Sequence, residues 1–208
     1  DILAEGTRAL GERYNASGAA VHVKGLEVAC WGIRALFGNA AMYATSPRGG
    51  SHLDADIYWV LNGQVIPELG IDADDPQTDE GMGKLVALTQ NWRMVTNSLI
   101  MCLFATYSPN EVAQLYSLVT GTNTSPNQLM LIGERIITLK RLLNLKLGFT
   151  ANDDIIPPHL LQPLEGPTRG MVPNLEKQLN DYYHYRDWDR QTGKPSAAAL
   201  KKVGIADL

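Results

Sequence analysis

Apolar and polar residues alternate with period two in one short segment near the start of the chain. Residues 21–28 read Val-His-Val-Lys-Gly-Leu-Glu-Val. This alternation is typical of a β-strand with one buried face. We therefore predict that the segment forms one arm of a small β ribbon.

Helical patterns occupy most of the remaining chain. Residues 108–111 (Ser-Pro-Asn-Glu) and 125–128 (Ser-Pro-Asn-Gln) each place Ser at an N-cap, Pro at the first helical position and Glu or Gln three residues after the cap. The first of these helices should end at Gly121 and the second near Gly148. The second also carries a continuous apolar stripe at helical spacing: Leu129, Ile132, Ile136, Leu139 and Leu143. Further helices are predicted over residues 2–13, 34–46, 84–107 and 173–183.

Glycine, proline and charge divide these helices. A turn at residues 46–51 ends the helix that begins at 34, and residues 61–83, rich in Gly, Pro and acids, predict a solvated loop with one helical turn. Residues 84–107 lack Gly and Pro and are mostly apolar, so this helix should be buried on most of its circumference. The predicted fold is mainly α, a multihelical region covering 1–208 with one small β ribbon and a possible subdivision near 60–84.

Composition excludes several classes of protein. The 208 residues are 45% apolar and 19% charged, which is ordinary for a globular protein. The net charge of −4 without a basic block argues against nucleic-acid binding, and no apolar run approaches the roughly 20 residues of a membrane span. The two cysteines, Cys30 and Cys102, are too far apart for a self-contained metal site and favour a reducing compartment, the cytoplasm.

Few residue types point to chemistry by themselves. Cys102 lies in the predicted apolar helix, where a free cysteine is most simply a small core residue. His52 follows a Gly-Gly turn whose flexible backbone could bring it to a ligand, and histidine is a residue type that suits proton transfer, although a solitary histidine there can be a bystander. Arg48 and Lys24 could hold phosphates or serve only in turns. The pair at 153–154, Asp-Asp, suits capping and turn roles.

Several blocks, taken in order, resemble the C-terminal part of the tungsten-containing aldehyde:ferredoxin oxidoreductase family. They are residues 22–27 (His-Val-Lys-Gly-Leu-Glu), 43–52 (Tyr-Ala-Thr-Ser-Pro-Arg-Gly-Gly-Ser-His), 133–135 (Gly-Glu-Arg) and 182–189 (Tyr-Tyr-His-Tyr-Arg-Asp-Trp-Asp). In that family a tungsten bis-pterin lies on an N-terminal domain and two mostly helical domains cover it. Since the chain begins at Asp1 and contains no counterpart of the base domain, the resemblance implies a chain cut at its N-terminus.

The resemblance also implies roles for particular residues. The family's Asp-x-x-Gly-Leu-Cys motif falls on residues 97–102, so Cys102 becomes the candidate fourth ligand of a [4Fe–4S] cluster whose other three cysteines lie upstream. Asn97 replaces the Asp that bonds a pterin, and Ile100 replaces the Gly. His52 matches a histidine near the metal and becomes the candidate catalytic proton donor. Arg48 and Lys24, inside matching blocks, become candidate cofactor-binding residues.

The implied reaction is oxidation of an aldehyde with water to a carboxylic acid, with electrons passing through pterin and cluster to ferredoxin. The complete enzyme would hold tungsten or molybdenum bis-pterin and one [4Fe–4S] cluster, whereas we expect this chain alone to bind neither and to be inactive. Its partners would be the N-terminal domains, ferredoxin, a small aldehyde-like substrate and a second copy in a homo-oligomer, with no nucleic acid and no membrane. Two alternatives are a tungsten subunit that reduces aromatic acyl-CoA thioesters and a non-catalytic helical scaffold in which Cys102 only fills the core.

Overall fold

The computed structural model describes residues 1–72, 75–105 and 107–207. Within these ranges the fold is mainly α, as predicted, with eight α-helices and a single two-stranded antiparallel sheet. The helices are α1 (Gly6–Arg13), α2 (Gly38–Thr45), α3 (Ile57–Leu61), α4 (Met82–Ser98), α5 (Pro109–Thr120), α6 (Pro126–Lys146), α7 (Leu175–Arg186) and α8 (Ala197–Lys202). The strands are β1 (His22–Val23) and β2 (Leu26–Glu27). No helix among the described residues is long and apolar enough to cross a bilayer.

The predicted strand at 21–28 forms both arms of the ribbon rather than one. His22 pairs with Glu27 and Val23 with Leu26. The chain reverses at Lys24 and Gly25, which both have positive φ (51° and 88°). Two such residues in succession are what a tight hairpin turn requires, so Lys-Gly interrupts the alternation with a turn.

Helix α4 lies at the centre of the molecule and packs against α2, α6 and α7. Helix α2 is buried along its whole length, which agrees with the small residues that its sequence supplies. The main hydrophobic core extends from Val23 to Ala199 and so draws on both sides of residues 60–84. A smaller cluster joins α4, α5 and α6. The possible subdivision near 60–84 stays a prediction.

Both predicted Ser-Pro helix starts are confirmed as complete capping boxes. The apolar stripe of α6, however, only partly matches its buried face. Leu139 and Leu143 are exposed, whereas Glu134, Thr138 and Arg141 are buried. These polar residues are accommodated because they make specific bonds: Glu134 pairs with Lys202, for example, at 2.7 Å.

The long helix predicted over 84–107 is shorter in the structure, because α4 ends at Ser98. Ile100 takes a left-handed backbone conformation, φ 57°, and the chain leaves the helix there. Cys102 consequently lies in a loop rather than inside a helix. The described part of the predicted loop at 61–83 contains one 3₁₀ turn, at Pro67–Leu69, while its two ends belong to α3 and α4. Residues 73 and 74 of that loop and residue 106 of the predicted helix lie outside the described residues.

Candidate functional site

Cys102 lies four residues beyond the end of α4 and is exposed. It borders a cleft of about 810 Å³ that opens between α3, the end of α4 and the start of α5. The cleft walls are mostly apolar and include Trp59, Ile66, Trp92 and Phe104. The expectation that Cys102 is a buried core residue is therefore wrong, since its thiol is accessible from outside the chain.

The same cleft is bordered by an ion pair that the sequence patterns did not predict. Arg93 Nη2 lies 2.7 Å from Asp56 Oδ2, and both side chains are largely buried. Asp56 also has a left-handed backbone, φ 52°, and its Oδ1 has no hydrogen-bond partner among the described residues. Burial raises the pKa of Asp56, while the nearby Arg93 partly opposes that rise. Strain and an unpaired buried oxygen together mark a place where the fold gives up local stability.

His52 begins the short turn that ends at Asp56. Its carbonyl accepts hydrogen bonds from the amides of Ala55 (3.2 Å) and Asp56 (2.8 Å). The half-buried imidazole lies beside the ring of Trp31, with 6.4 Å between ring centroids. Trp31 is itself stacked on Tyr58 at 4.5 Å. Aromatic side chains and local backbone bonds thus hold the turn that presents His52.

Asn97 lies in the last turn of α4 and reaches the His52 turn. Its Nδ2 donates to the carbonyl oxygen of Leu53 at 3.4 Å. Arg93 Nε donates to the same oxygen at 3.3 Å. The structure thus brings Asn97, the His52 turn and the segment leading to Cys102 together at one end of α4.

Arg48 closes the loop that precedes His52. Its guanidinium contacts both carboxylate oxygens of Asp54, at 3.1 and 3.3 Å, and donates to the hydroxyl of Ser51 at 3.0 Å. The buried Asp54 carboxylate also accepts from the Ser46 hydroxyl at 2.5 Å. Because the Arg48 side chain remains 52% exposed, part of its guanidinium is open to an anion from outside.

The Gly-Gly turn before His52 serves packing rather than flexibility. Gly49 has φ 98°, and a Cβ atom there would lie 2.1 Å from the carbonyl oxygen of Val23. A Cβ on Gly50 would lie 2.6 Å from the carbonyl oxygen of Leu26, and the Gly50 amide donates to Val23 at 3.2 Å. The two glycines therefore let the His52 loop rest directly on the backbone of the hairpin.

Lys24 lies apart from the cleft, in a buried charge network. Its ammonium is 2.7 Å from Asp154 Oδ1 and also donates to the carbonyl of Ala44. Arg141 binds the other oxygen of Asp154 at 3.0 Å, and the Tyr183 hydroxyl donates to it at 2.5 Å. Asp154 is therefore the centre of this network rather than a turn residue. The positive charge of Lys24 is already neutralised within the chain. A role for Lys24 in cofactor binding stays a prediction.

Asp153, by contrast, has the capping role that was predicted. It accepts from the amide of Thr150 at 2.7 Å and so caps the 3₁₀ turn at Ala151–Asp153.

The described residues contain no group of three or more His, Cys, Asp or Glu side chains close enough to hold a metal ion. The chain could still supply a single ligand to a metal centre that it shares with another segment. An exposed cysteine on a loop suits that role, because iron–sulfur clusters are held by cysteine sulfur and the other cysteines can come from another segment. Cys30 is also exposed, but it does not border the cleft.

Known proteins resemble this chain over its whole length. Residues 1–205 match the family model described as aldehyde ferredoxin oxidoreductase, domains 2 and 3. The chain is 32% identical to the tungsten-containing aldehyde ferredoxin oxidoreductase of Pyrococcus furiosus and 30% identical to that of Thermococcus kodakarensis, over its whole length and 34% of theirs. It is also 31% identical to an aliphatic sulfonate oxidoreductase WOR-like subunit of P. furiosus, over 99% of this chain and 32% of the subunit. The chain thus spans about a third of the length of these relatives, and it belongs to the aldehyde ferredoxin oxidoreductase family.

Proposed function

We propose that the chain forms one wall of the active site of a tungsten-dependent oxidoreductase that converts an aldehyde and water to a carboxylic acid. The observation that carries the proposal is the exposed thiol of Cys102, which borders the same cleft as Ala55 and Asp56 of the turn that begins at His52. The rest of the site would come from sequence that corresponds to the remaining two thirds of the relatives. When bound, the tungsten bis-pterin and a [4Fe–4S] cluster would supply the two-electron chemistry, with ferredoxin as the acceptor.

In this proposal Cys102 supplies one thiolate ligand to the cluster. A thiolate on an exposed loop can meet iron held by cysteines of another segment without unfolding any of the core. The apolar cleft walls, with Trp92 and Phe104, would keep water away from the cluster, and solvent exclusion is one of the factors that set cluster potentials.

His52 would move a proton at its imidazole. Oxidation of RCHO and H₂O to RCOOH releases two protons and two electrons, so the site needs a group that exchanges protons near neutral pH. Arg48 would use the exposed part of its guanidinium to hold an anionic group of the pterin. Asn97 would accept a pterin N–H at Oδ1, because its Nδ2 is directed at Leu53.

The test of the metal role compares the two exposed cysteines in the full-length protein that contains this chain. Cys102→Ser should lower the iron content and the visible absorbance of the cluster, because serine is a poor ligand for iron in this setting. Cys30→Ser is the matched control, an equally accessible thiol away from the cleft, and should keep both. Unchanged iron in Cys102→Ser would remove this residue from the site.

The proton-transfer role has a separate test. His52→Ala should lower turnover about 10²-fold or more while tungsten and iron contents remain at wild-type values. His184→Ala, at an exposed position on α7, is the control and should retain normal turnover. Normal turnover in His52→Ala would contradict the proposal for this residue.

The two alternatives differ in what they require. The scaffold alternative needs Cys102 as core filler, and an exposed thiol does not support that role. The acyl-CoA alternative stays a prediction. It requires acyl-CoA-dependent turnover by the full-length protein, which an assay with an aromatic acyl-CoA thioester would detect.

A further inference from the structure

Two side chains of α4 donate to one backbone oxygen on the loop that bears His52. Arg93 and Asn97 are four residues apart, so they lie on the same face of the helix, one turn from each other. Arg93 Nε is 3.3 Å and Asn97 Nδ2 is 3.4 Å from the carbonyl oxygen of Leu53. A carbonyl oxygen has two lone pairs and can accept both bonds. We call this pair of bonds the Leu53 clamp.

Arg93 also holds the other end of the same turn. Its Nη2 lies 2.7 Å from Asp56 Oδ2, and the amide of Asp56 donates to the carbonyl of His52 at 2.8 Å. One guanidinium therefore bridges the residue just after His52 and the residue that closes the turn. Since Asp56 is held in a left-handed conformation, this turn depends on tertiary contacts for its shape.

We propose that the Leu53 clamp positions His52 against the end of α4, so that the candidate proton donor and the segment bearing Cys102 form one rigid unit. The inference rests on the proposed function. In this arrangement Arg93 is a positioning residue, which acts on the reaction only through His52. Asn97 positions His52 through Nδ2, in addition to the pterin contact proposed for its Oδ1.

The Leu53 clamp explains why position 97 carries Asn rather than Asp. The resembling motif has Asp there, but a carboxylate has no proton to donate at neutral pH and would repel the Leu53 carbonyl. An amide can donate with Nδ2 to Leu53 and still has its Oδ1 as an acceptor. Asn97 therefore adds a contact to the His52 turn that the motif's Asp cannot make.

The test uses two conservative variants and their combination in the full-length protein. Arg93→Lys keeps a positive charge for Asp56 but lacks the second donor that reaches Leu53. Asn97→Asp keeps the shape of the side chain but removes its donor. Gln77→Glu is the matched control, since Gln77 Nε2 also donates to a distant backbone carbonyl, that of Arg34 at 2.9 Å, outside this site.

Two readouts do not depend on activity. Hydrogen exchange of the backbone amides at 52–56, followed by mass spectrometry, should speed up about tenfold in the double variant and less in each single variant. Exchange of the His52 ring Cε1 proton, which reports the surroundings of the imidazole, should change in the same variants. Gln77→Glu should leave both rates unchanged.

Turnover then separates positioning from a merely structural role. We expect kcat to fall at least tenfold in the double variant with KM changed less than twofold and with normal tungsten and iron contents. Unchanged exchange in the double variant would overturn the clamp, and faster exchange with unchanged kcat would overturn its role in positioning His52.

If the double variant does not fold, Asn97→Asp alone decides the question, because that side chain is exposed. If the wild-type protein lacks tungsten and iron, the proposed function fails, while the two exchange measurements still decide whether the clamp positions the His52 ring.

Discussion

Ile100 offers a direct test of how α4 ends. The Ile100 amide donates to the carbonyl of Asn97 (3.1 Å) and the Met101 amide to that of Thr96 (3.0 Å), which together form a Schellman cap with Ile100 at its left-handed position. That position normally carries glycine, and a β-branched residue there is strained by about 1–2 kcal/mol. The Ile100 side chain is 93% exposed, so its removal forfeits almost no burial.

Ile100→Gly should therefore stabilise the fold. Relief of strain is offset by the larger backbone entropy of glycine in the unfolded chain, roughly 0.5–1 kcal/mol, which leaves a net gain of about 0.5–1 kcal/mol. The free energy of unfolding from urea titrations followed by circular dichroism measures this gain. Ile100→Asn, a residue that tolerates the left-handed region, should also gain, whereas Ile100→Ala should gain least because it keeps a Cβ in that region. An Ala variant as stable as the Gly variant would refute the strain argument.

Three other substitutions probe the packing beneath the site. Lys24→Met should lower the free energy of unfolding by about 3 kcal/mol, because Asp154 loses a buried ion-pair partner; a loss below about 1 kcal/mol in urea would contradict that network. Gly49→Ala should cost about 3 kcal/mol or prevent folding, since the new Cβ would overlap the Val23 carbonyl, and normal urea stability would rule out the close approach. Burial raises the pKa of Tyr43, so the unfolded state ionises first and stability falls as pH rises above about 10. Tyr43→Phe should make that fall shallower between pH 9 and 11, and an unchanged slope of stability against pH would contradict the assignment.

The local parts of the fold could be predicted from the sequence. The capping boxes at Ser108 and Ser125 are confirmed. They could be predicted because each needs only two residues that lie three positions apart. The end of α4 could not be predicted, since it depends on Ile100 adopting a conformation that its side chain disfavours. The buried face of α6 also escaped prediction, because Arg141 is buried only through its partner Asp154 on another segment.

In the candidate site, too, residues within motifs could be predicted and a contact between distant residues could not. The resemblance identified His52 and Cys102 as candidates, and these assignments remain proposals. The ion pair of Asp56 with Arg93 was missed, because its residues lie 37 positions apart in sequence and neither belongs to a motif. The sequence offered only one sign of it, the closely spaced acids Asp54 and Asp56 just after His52.

Both departures from the resembling motif lie at the surface end of α4, where they cost the core nothing. Asn97 gains a donor toward the His52 turn, and Ile100 places an exposed apolar side chain two residues before Cys102. Phe104, on the same loop, is 77% exposed. Apolar side chains grouped around one accessible thiol favour contact with another protein surface over contact with water. The proposed function requires that arrangement. A cluster bound by Cys102 and by cysteines of another segment would lie where this loop meets that segment.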